Sequence, residues 1–491
     1  MILRIIDNDF HYESENLCRV FFPNEKITVV RDYEGADDKI ICVKCSEEND
    51  KIKIDVSCVI DDKELEKSEE ISGNLASARD DCELAAARMI YELLTSVTGY
   101  VPPWGLLTGV RPSKLMLHLT DEMGREKAEE YFTGKLLVSP EKTKLASTVA
   151  ANEQKIIALS VPESFSLYIS IPFCPSRCSY CSFVSHSITN PNAKKMLPEY
   201  LEYLGKEIEH TGKIASSLGL KLETIYFGGG TPGVLEASQM DFLQCTIEKN
   251  FDLSTLREYT VEIGRPDTVT ADKLHILKLH NVDRISINPQ TFNQQTLDAI
   301  GRQHSVKQIL TAYTLAKSYK FKCINMDLIA GLPGENLEDY RNSVDTALML
   351  SPENITIHSL ALKRSSTLNY EGTQVNEGIE AKKMLDYSTE KLINSGYNPY
   401  YMYRQSKCVG NLENVGWCKG DTNGLYNVYM MEETHTVLAC GAGAVTKLCD
   451  PGSNKVERIF NYKYPYEYNS GFDTISDRKN AIEAFYNSLG K

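Results

Sequence analysis

The stretch Leu167-Tyr168-Ile169-Ser170-Ile171-Pro172-Phe173-Cys174-Pro175-Ser176-Arg177-Cys178-Ser179-Tyr180-Cys181 reads as a short apolar strand running straight into three cysteines spaced C-x3-C-x2-C. Three thiolates this close in sequence are able to hold three irons of a [4Fe-4S] cube and leave the fourth iron without a protein ligand. An open iron binds and reduces a small molecule, whereas a fully ligated cluster mostly carries electrons. Two other readings compete, a structural zinc site and unligated core cysteines. Structural zinc prefers four protein ligands, usually as two C-x2-C pairs, and no second pair follows nearby. The compact motif favours the cluster.

Outward from this loop, towards the C-terminus, short strands recur, each followed by a helical stretch: Leu167–Ile171, Thr224–Phe227, Tyr259–Ile263, Arg284–Asn288, Cys323–Ile329 and Asn354–Ser359. The intervals are too long for hairpins and suit right-handed βαβ crossovers, hence a parallel sheet. Six such units predict a partial (β/α)6 barrel of the TIM type, with the cluster loop inserted in its first and longest crossover.

Buried parallel strands usually read as continuous apolar runs. Here polar residues occupy alternate positions: Glu262 on the third strand, Ser286, Asn288 and Gln290 on the fourth, Asn325 and Asp327 on the fifth, Thr356 and His358 on the sixth. With a period of two, each set lies on one face. Unpaired buried polar groups cost several kcal/mol, so a polar face shared by four strands predicts a cavity lining. These residues fall towards the strand C-terminal ends, where parallel barrels carry their active sites. The bland alternative is that each is satisfied singly by a loop.

Phe227-Gly228-Gly229-Gly230-Thr231-Pro232 follows the second strand. Its glycines allow close backbone approach and present N–H groups to an anion, although a Gly triplet alone also suits a tight turn.

Residues 1 to about 62 alternate as β-rich runs, such as Ile27-Thr28-Val29-Val30 and Lys51-Ile52-Lys53-Ile54-Asp55-Val56, with a turn cluster at Asp32–Asp38. Residues 76 to 160 read helical, interrupted by the Pro- and Gly-rich connector Val101–Pro112, which Trp104 is expected to anchor. Cys42 and Cys45 also have C-x2-C spacing, but on a strand they point to opposite faces, which argues for core packing over metal binding. After residue 400 the rhythm stops, and the Tyr- and Gly-rich tail reads as a small α/β cap over the open side of the barrel. The division is 1–160 as an N-terminal α+β accessory domain, 161–400 as the core barrel and 401–491 as the cap.

The formal net charge of −14 argues against a nucleic-acid or anionic-membrane binder. No apolar run is long enough for a membrane span, and the first residues lack a secretory pattern. Fourteen scattered cysteines suit a reducing, cytoplasmic setting.

Leu167 to about Ser366 resembles the oxygen-independent coproporphyrinogen III dehydrogenase family of radical S-adenosylmethionine (SAM) enzymes. The pieces that carry it are LYISIPFC with the cysteine loop, YFGGGTP, Val261-Glu262, RISINPQTF, IGRQH and NMDLIAGLPGE. PPWGLLTGVRPSKL, Glu413-Asn414-Val415-Gly416-Trp417 and Gly441-Ala442-Gly443-Ala444 are similar to the HemZ branch. The resemblance implies Cys174, Cys178 and Cys181 as ligands of a [4Fe-4S] cluster whose open iron SAM chelates. It implies SAM contacts at Tyr168, Gly229, Gly230, Thr231 and Glu262, the last facing the SAM ammonium. Tyr180, Gln290, Arg302, Asp327 and Ala361 correspond to contacts with a second SAM, and Tyr168, Glu262 and Asp327 are the catalytic candidates. The implied substrate is a tetrapyrrole, served by a reductant such as flavodoxin or ferredoxin, in a monomeric cytoplasmic protein.

Two departures from the family pattern matter. Established dehydrogenases carry a further cysteine two residues after the third ligand; here that position is Phe183, as in the HemW heme-chaperone branch. Yet the HemW tail motif His-Asn-x-Asn-Tyr-Trp is replaced by Leu412-Glu413-Asn414-Val415-Gly416-Trp417, and its later histidine is missing at Ala444-Val445. A carrier would have to recruit His358, Cys408, Cys418 or Cys440 as an axial ligand. Three functions therefore compete: coproporphyrinogen III decarboxylation, heme carriage of the HemW type, and radical chemistry on another tetrapyrrole.

Overall fold

The computed structural model describes residues 1–31, 35, 37–48, 50–61, 63–362, 366, 368, 378–405, 407–453 and 455–489. The turn cluster expected at Asp32–Asp38 lies in part outside these residues. The chain divides into two compact units, 1–147 with 404–412, and 148–403 with 413–491.

In the larger unit the six predicted strands are Ser164–Ile171, Lys221–Gly229, Glu258–Gly264, Arg284–Ile287, Cys323–Ala330 and Asn354–Ser359. They pair in sequence order and every pairing is parallel. This is the singly wound α/β half-barrel that βαβ crossovers of one hand produce. The outward positions, among them Ile285, Ile287, Ile324, Met326, Leu328, Ile355 and Ile357, are buried. Apolar residues on the outer face seat the helices, so the inner face is free to be polar.

The tail continues the same sheet. Glu413–Cys418 pairs antiparallel with the sixth strand, with Asn398–Arg404 beyond it, while Thr436–Cys440 pairs parallel with the first strand. Val445–Cys449 and Val456–Phe460 complete an eleven-stranded sheet. The segment before helix Leu425–Glu432 floors the barrel at its strand N-terminal end. There Glu258 accepts from the N–H groups of Leu425 (2.7 Å) and Tyr426 (3.2 Å), and Arg284 donates to the Thr422 carbonyl at 2.8 Å. The three-part division at 160 and 400 is thus a proposal about folding units, because barrel and tail share one sheet.

The smaller unit has a five-stranded sheet in the order Thr28–Val30, Ile2–Ile6, Lys39–Glu48, Lys51–Ile60, Lys63–Ser72. Helices His11–Phe21 and Arg79–Thr98 pack on it around a core that includes Ile41, Val43, Cys45, Ile54, Val56, Ile90 and Leu94. Cys45 is buried and Cys42 only half-buried, as opposite faces of a strand require. Trp104 is buried beneath the Arg404 guanidinium, 5.5 Å from its ring centre, and anchors the connector. Next to it, Gly105 has φ +54°, and a Cβ there would lie 2.1 Å from the Leu136 carbonyl oxygen.

Candidate functional site

The cysteine loop leaves the C-terminal end of the first strand and is clasped from several directions. The Ser179 N–H donates to the Ile300 carbonyl (3.0 Å), and the Ser176 hydroxyl donates to the Gly301 carbonyl (3.3 Å). Arg265, just past the third strand and 3 % exposed, donates to Ser176 Oγ at 2.8 Å and approaches Cys178 Sγ at 4.0 Å. Its Nε is held 3.1 Å from Asp267. Sequence reasoning missed Arg265, because nothing local ties it to a loop some 90 residues earlier.

Cys174 and Cys178 are buried and Cys181 is half-buried. Burial pushes the Cys181 thiol up to about 11, so an electropositive ligand is needed to keep it ionised at neutral pH. The Thr231 hydroxyl lies 3.4 Å from Cys174 Sγ.

The glycine triplet works differently from the N–H cradle expected of it. The N–H groups of Gly230 and Thr231 are already spent on the carbonyls of Ile171 and Phe173, each at 2.8 Å. What requires glycine is approach: a Cβ on Gly230 would lie 2.6 Å from the Phe173 oxygen and 2.9 Å from Cys174 Sγ. Gly229, at φ +107°, turns the chain out of the second strand.

Across the barrel interior the polar face carries hydrogen-bonded groups. Tyr226 donates to Glu262; Asn325 Nδ2 donates to Asp327 Oδ1 (2.7 Å); the Thr356 hydroxyl donates to Asn325 Oδ1 (3.0 Å). His358 Nε2 lies 3.7 Å from Asp327 Oδ2. The two carboxyls are driven apart. Burial, opposed by the Tyr226 hydrogen bond and reinforced by Asp327, pushes Glu262 up to about 7. Burial also works against the Asp327 carboxylate, but His358, Asn325 and Thr356 outweigh it and hold Asp327 below the usual carboxylate range. Two acids of different strength on one face suit a site that binds a cation and handles a proton.

Gln290 adopts φ +69°, held by its own N–H to the Asp327 carbonyl (2.9 Å) and by the Ile329 N–H to its carbonyl (3.0 Å). Ser286 Oγ, Asn288 Oδ1, Gln290 Oε1 and Arg302 Nε are buried without a hydrogen-bond partner. Such orphans are costly unless something fills the space they face. Arg302 also donates to the Asn288 carbonyl and, at 3.2 Å, to the Tyr180 hydroxyl, tying the fourth strand to the cysteine loop. Ala361 follows the end of the sixth strand. Tyr168 stacks on Tyr226 (6.3 Å) and on Tyr426 (6.1 Å), and Tyr226 lies 4.4 Å from Tyr426. Tyr426, delivered by the tail, gave no sequence signal. Beneath lies a small polar cavity of about 30 Å³, lined by Tyr226, Thr260, Ser286 and Asn325 among others, room for a water or two.

The expected axial-ligand candidates separate. Cys418 donates to Asn423 Oδ1 at 3.0 Å and Cys440 lies 3.3 Å from the Thr211 hydroxyl, both inside the packed core, and Cys408 is buried. His358 alone of the four faces the barrel interior. Phe183 is 63 % exposed, beside the cysteine loop.

A parallel half-barrel with three cysteines on the loop after its first strand is a radical SAM architecture, and residues 168–347 match the model described as Radical SAM superfamily. The chain is 38% identical over 394 residues to the oxygen-independent coproporphyrinogen-III oxidase-like protein HemZ of Bacillus subtilis, covering 79% of this chain and 78% of that protein. It belongs to the radical SAM oxygen-independent coproporphyrinogen III dehydrogenase family, in the HemZ branch. The heme chaperone HemW of Bacillus subtilis is 38% identical over 202 residues, 40% of this chain and 51% of that protein. The solved coproporphyrinogen III oxidase HemN of Escherichia coli shares the fold, with a TM-score of 0.50 at 20% identity over 67% of this chain and 73% of that one. Radical SAM proteins use a [4Fe-4S] cluster and SAM, and the thiol loop with its orphaned polar wall fits both. Among the described residues, no helix is long and apolar enough to cross a membrane.

Proposed function

We propose that the chain carries out oxygen-independent oxidative decarboxylation of coproporphyrinogen III to protoporphyrinogen IX. The observation that carries this reading is the polar barrel wall, with its unpartnered Gln290, Ser286 and Asn288 oxygens, above which the cysteine loop is clasped. Cys174, Cys178 and Cys181 would hold three irons of a [4Fe-4S] cluster. Such a cluster would supply, from a low-potential reductant such as flavodoxin or ferredoxin, the electron for reductive cleavage of SAM to methionine and a 5′-deoxyadenosyl radical. Glu262, kept in place by Tyr226, binds the SAM ammonium, and the Gly229–Thr231 backbone lets the ligand approach the cluster. Arg302 and Tyr180 receive a carboxylate, and Asp327, Gln290 and Ala361 line the space for a second SAM or the substrate. A β-hydrogen is taken from a propionate; loss of CO2 and of one electron to an acceptor leaves the vinyl group, and two propionates react in turn.

A second reading is favoured by Phe183 and by the HemW relatives: a tetrapyrrole carrier, with His358 as the available axial ligand. One experiment separates them. Cluster-loaded protein is incubated anaerobically with SAM, dithionite and coproporphyrinogen III, and the tetrapyrrole is weighed by mass spectrometry. The dehydrogenase gives loss of two CO2 units and faster 5′-deoxyadenosine formation with substrate, both slowed in Asp327→Asn with an intact cluster spectrum. A carrier gives a sharp Soret band with heme, idle SAM cleavage and an unchanged porphyrinogen mass. Activity that is low in the native chain and rises in Phe183→Cys would trace the deficit to the missing cysteine.

A further inference from the structure

Away from the cysteine loop, helix Ala237–Asn250 carries Asp241, Cys245 and Glu248 at i, i+4 and i+7, a single stripe of its surface. His280 caps helix Ala271–Leu279 and reaches across to that stripe. Its Nε2 lies 2.8 Å from Asp241 Oδ1 and its Nδ1 lies 2.8 Å from Glu248 Oε1. The ligand atoms of Asp241, Cys245 and His280 all lie within 4.8 Å of one another.

We propose that Asp241, Cys245 and His280 bind one divalent cation of the zinc class, with water in the fourth position. Carboxylate, thiolate and imidazole are the three ligand types zinc takes, and three protein ligands plus water complete its tetrahedron. Glu248 supplies the outer support: by accepting from the Nδ1–H it fixes the tautomer that turns Nε2 to the ion, the arrangement that orients most metal-bound histidines. The same atoms also describe an imidazolium bridging two carboxylates. That arrangement gives no role to the sulfur, yet Cys245 shares the 4.8 Å cluster and is exposed. The His280 side chain is only 6 % exposed, so the ion would be seated on a fixed ring with its open side to solvent. The site is separate from the radical chemistry: His280 stands just ahead of the fourth strand, at the strand N-terminal end, whereas the cysteine loop leaves a C-terminal end. A bound ion would staple these two helices together.

The test uses full-length, cluster-loaded protein, freed of loose metal and titrated anaerobically with zinc alone. The expected result is about one zinc per chain beyond the cluster, with a zinc-edge X-ray absorption spectrum showing one sulfur among nitrogen and oxygen ligands. Cys245→Ala and Asp241→Asn weaken binding about tenfold or more, and Glu248→Gln about tenfold, with iron content and SAM binding unchanged. Cys245 is exposed, so its replacement leaves the fold intact and keeps the test decisive. No additional zinc, a three-sulfur spectrum from zinc at the cluster cysteines, or an affinity unmoved by Cys245→Ala would each overturn the proposal.

Discussion

The barrel and the N-terminal sheet use the same period of two for opposite ends. In the N-terminal unit the strand Lys51–Ile60 turns Ile52, Ile54, Val56, Cys58 and Ile60 into a dry core. In the barrel the apolar residues point outward to the helices, and Glu262, Ser286, Asn325, Asp327 and Thr356 are left inside. Both patterns bury one face. On the strands themselves, only the second leaves buried side-chain oxygens without partners among the described residues; the nearest such atom to the N-terminal sheet is Thr95 Oγ1, on the helix packed against it. An apolar face marks where a protein is held together, and a buried polar face marks where something else is to be held.

The largest test of this contrast is removal of the thiol loop. Cys174→Ala, Cys178→Ala and Cys181→Ala together should abolish the roughly four irons and four sulfides of the reconstituted protein and its thiolate-to-iron absorption. Retention of a full cluster would place the site elsewhere. Next is the dry core: Ile54→Ala should cost about 2–5 kcal/mol by cavity formation. Denaturant unfolding would record that loss with iron content unchanged, and a parallel fall in iron would break the comparison.

Smaller effects follow on the polar wall. Glu262→Gln should weaken SAM binding by roughly 1.5–3 kcal/mol, the value of a charge-assisted hydrogen bond. Calorimetry finding equal affinity would remove Glu262 from the site. Because burial pushes this carboxyl up to about 7, SAM affinity should fall as pH drops through that value, and the Gln variant should be flat. The sign for stability is opposite. The folded carboxyl holds its proton more tightly than the unfolded one, so its contribution is complete below about 4.5 and is lost as pH rises through about 7. Smallest of all, Glu66→Gln on the exposed strand Lys63–Ser72 should change stability by no more than about 0.5 kcal/mol.

Lys63–Ser72 also shows where the sequence falls silent. Its residues KELEKSEEIS are mostly exposed and carry no apolar alternation, so nothing announces the strand except the hairpin partner it pairs with. Helix His11–Phe21 interrupts the β-rich pattern expected of residues 1 to about 62 and gives as little local signal, being short and with Ser14 and Cys18 among its buried residues. The six barrel strands were legible because pleat alternation is a property of neighbouring residues. The cysteine loop was legible for the same reason: a cluster ligand set spaced over eight residues is local.

What the sequence determined by itself was therefore whatever the chain decides over a few residues: strand period, thiol spacing, and which face of a strand is polar. Tertiary structure alone decided the rest. It brought Arg265 to Ser176 and the edge of the thiol loop, and set Tyr426 of the tail on Tyr226 beneath Glu262. It spent the Gly230 and Thr231 N–H groups on the preceding loop, and added the tail strands to both edges of the barrel sheet. It also set His280 against Asp241 and Cys245. Each of these depends on contacts between segments far apart in the chain, whose cost in lost chain entropy is met only when the whole sheet closes and buries its outer face.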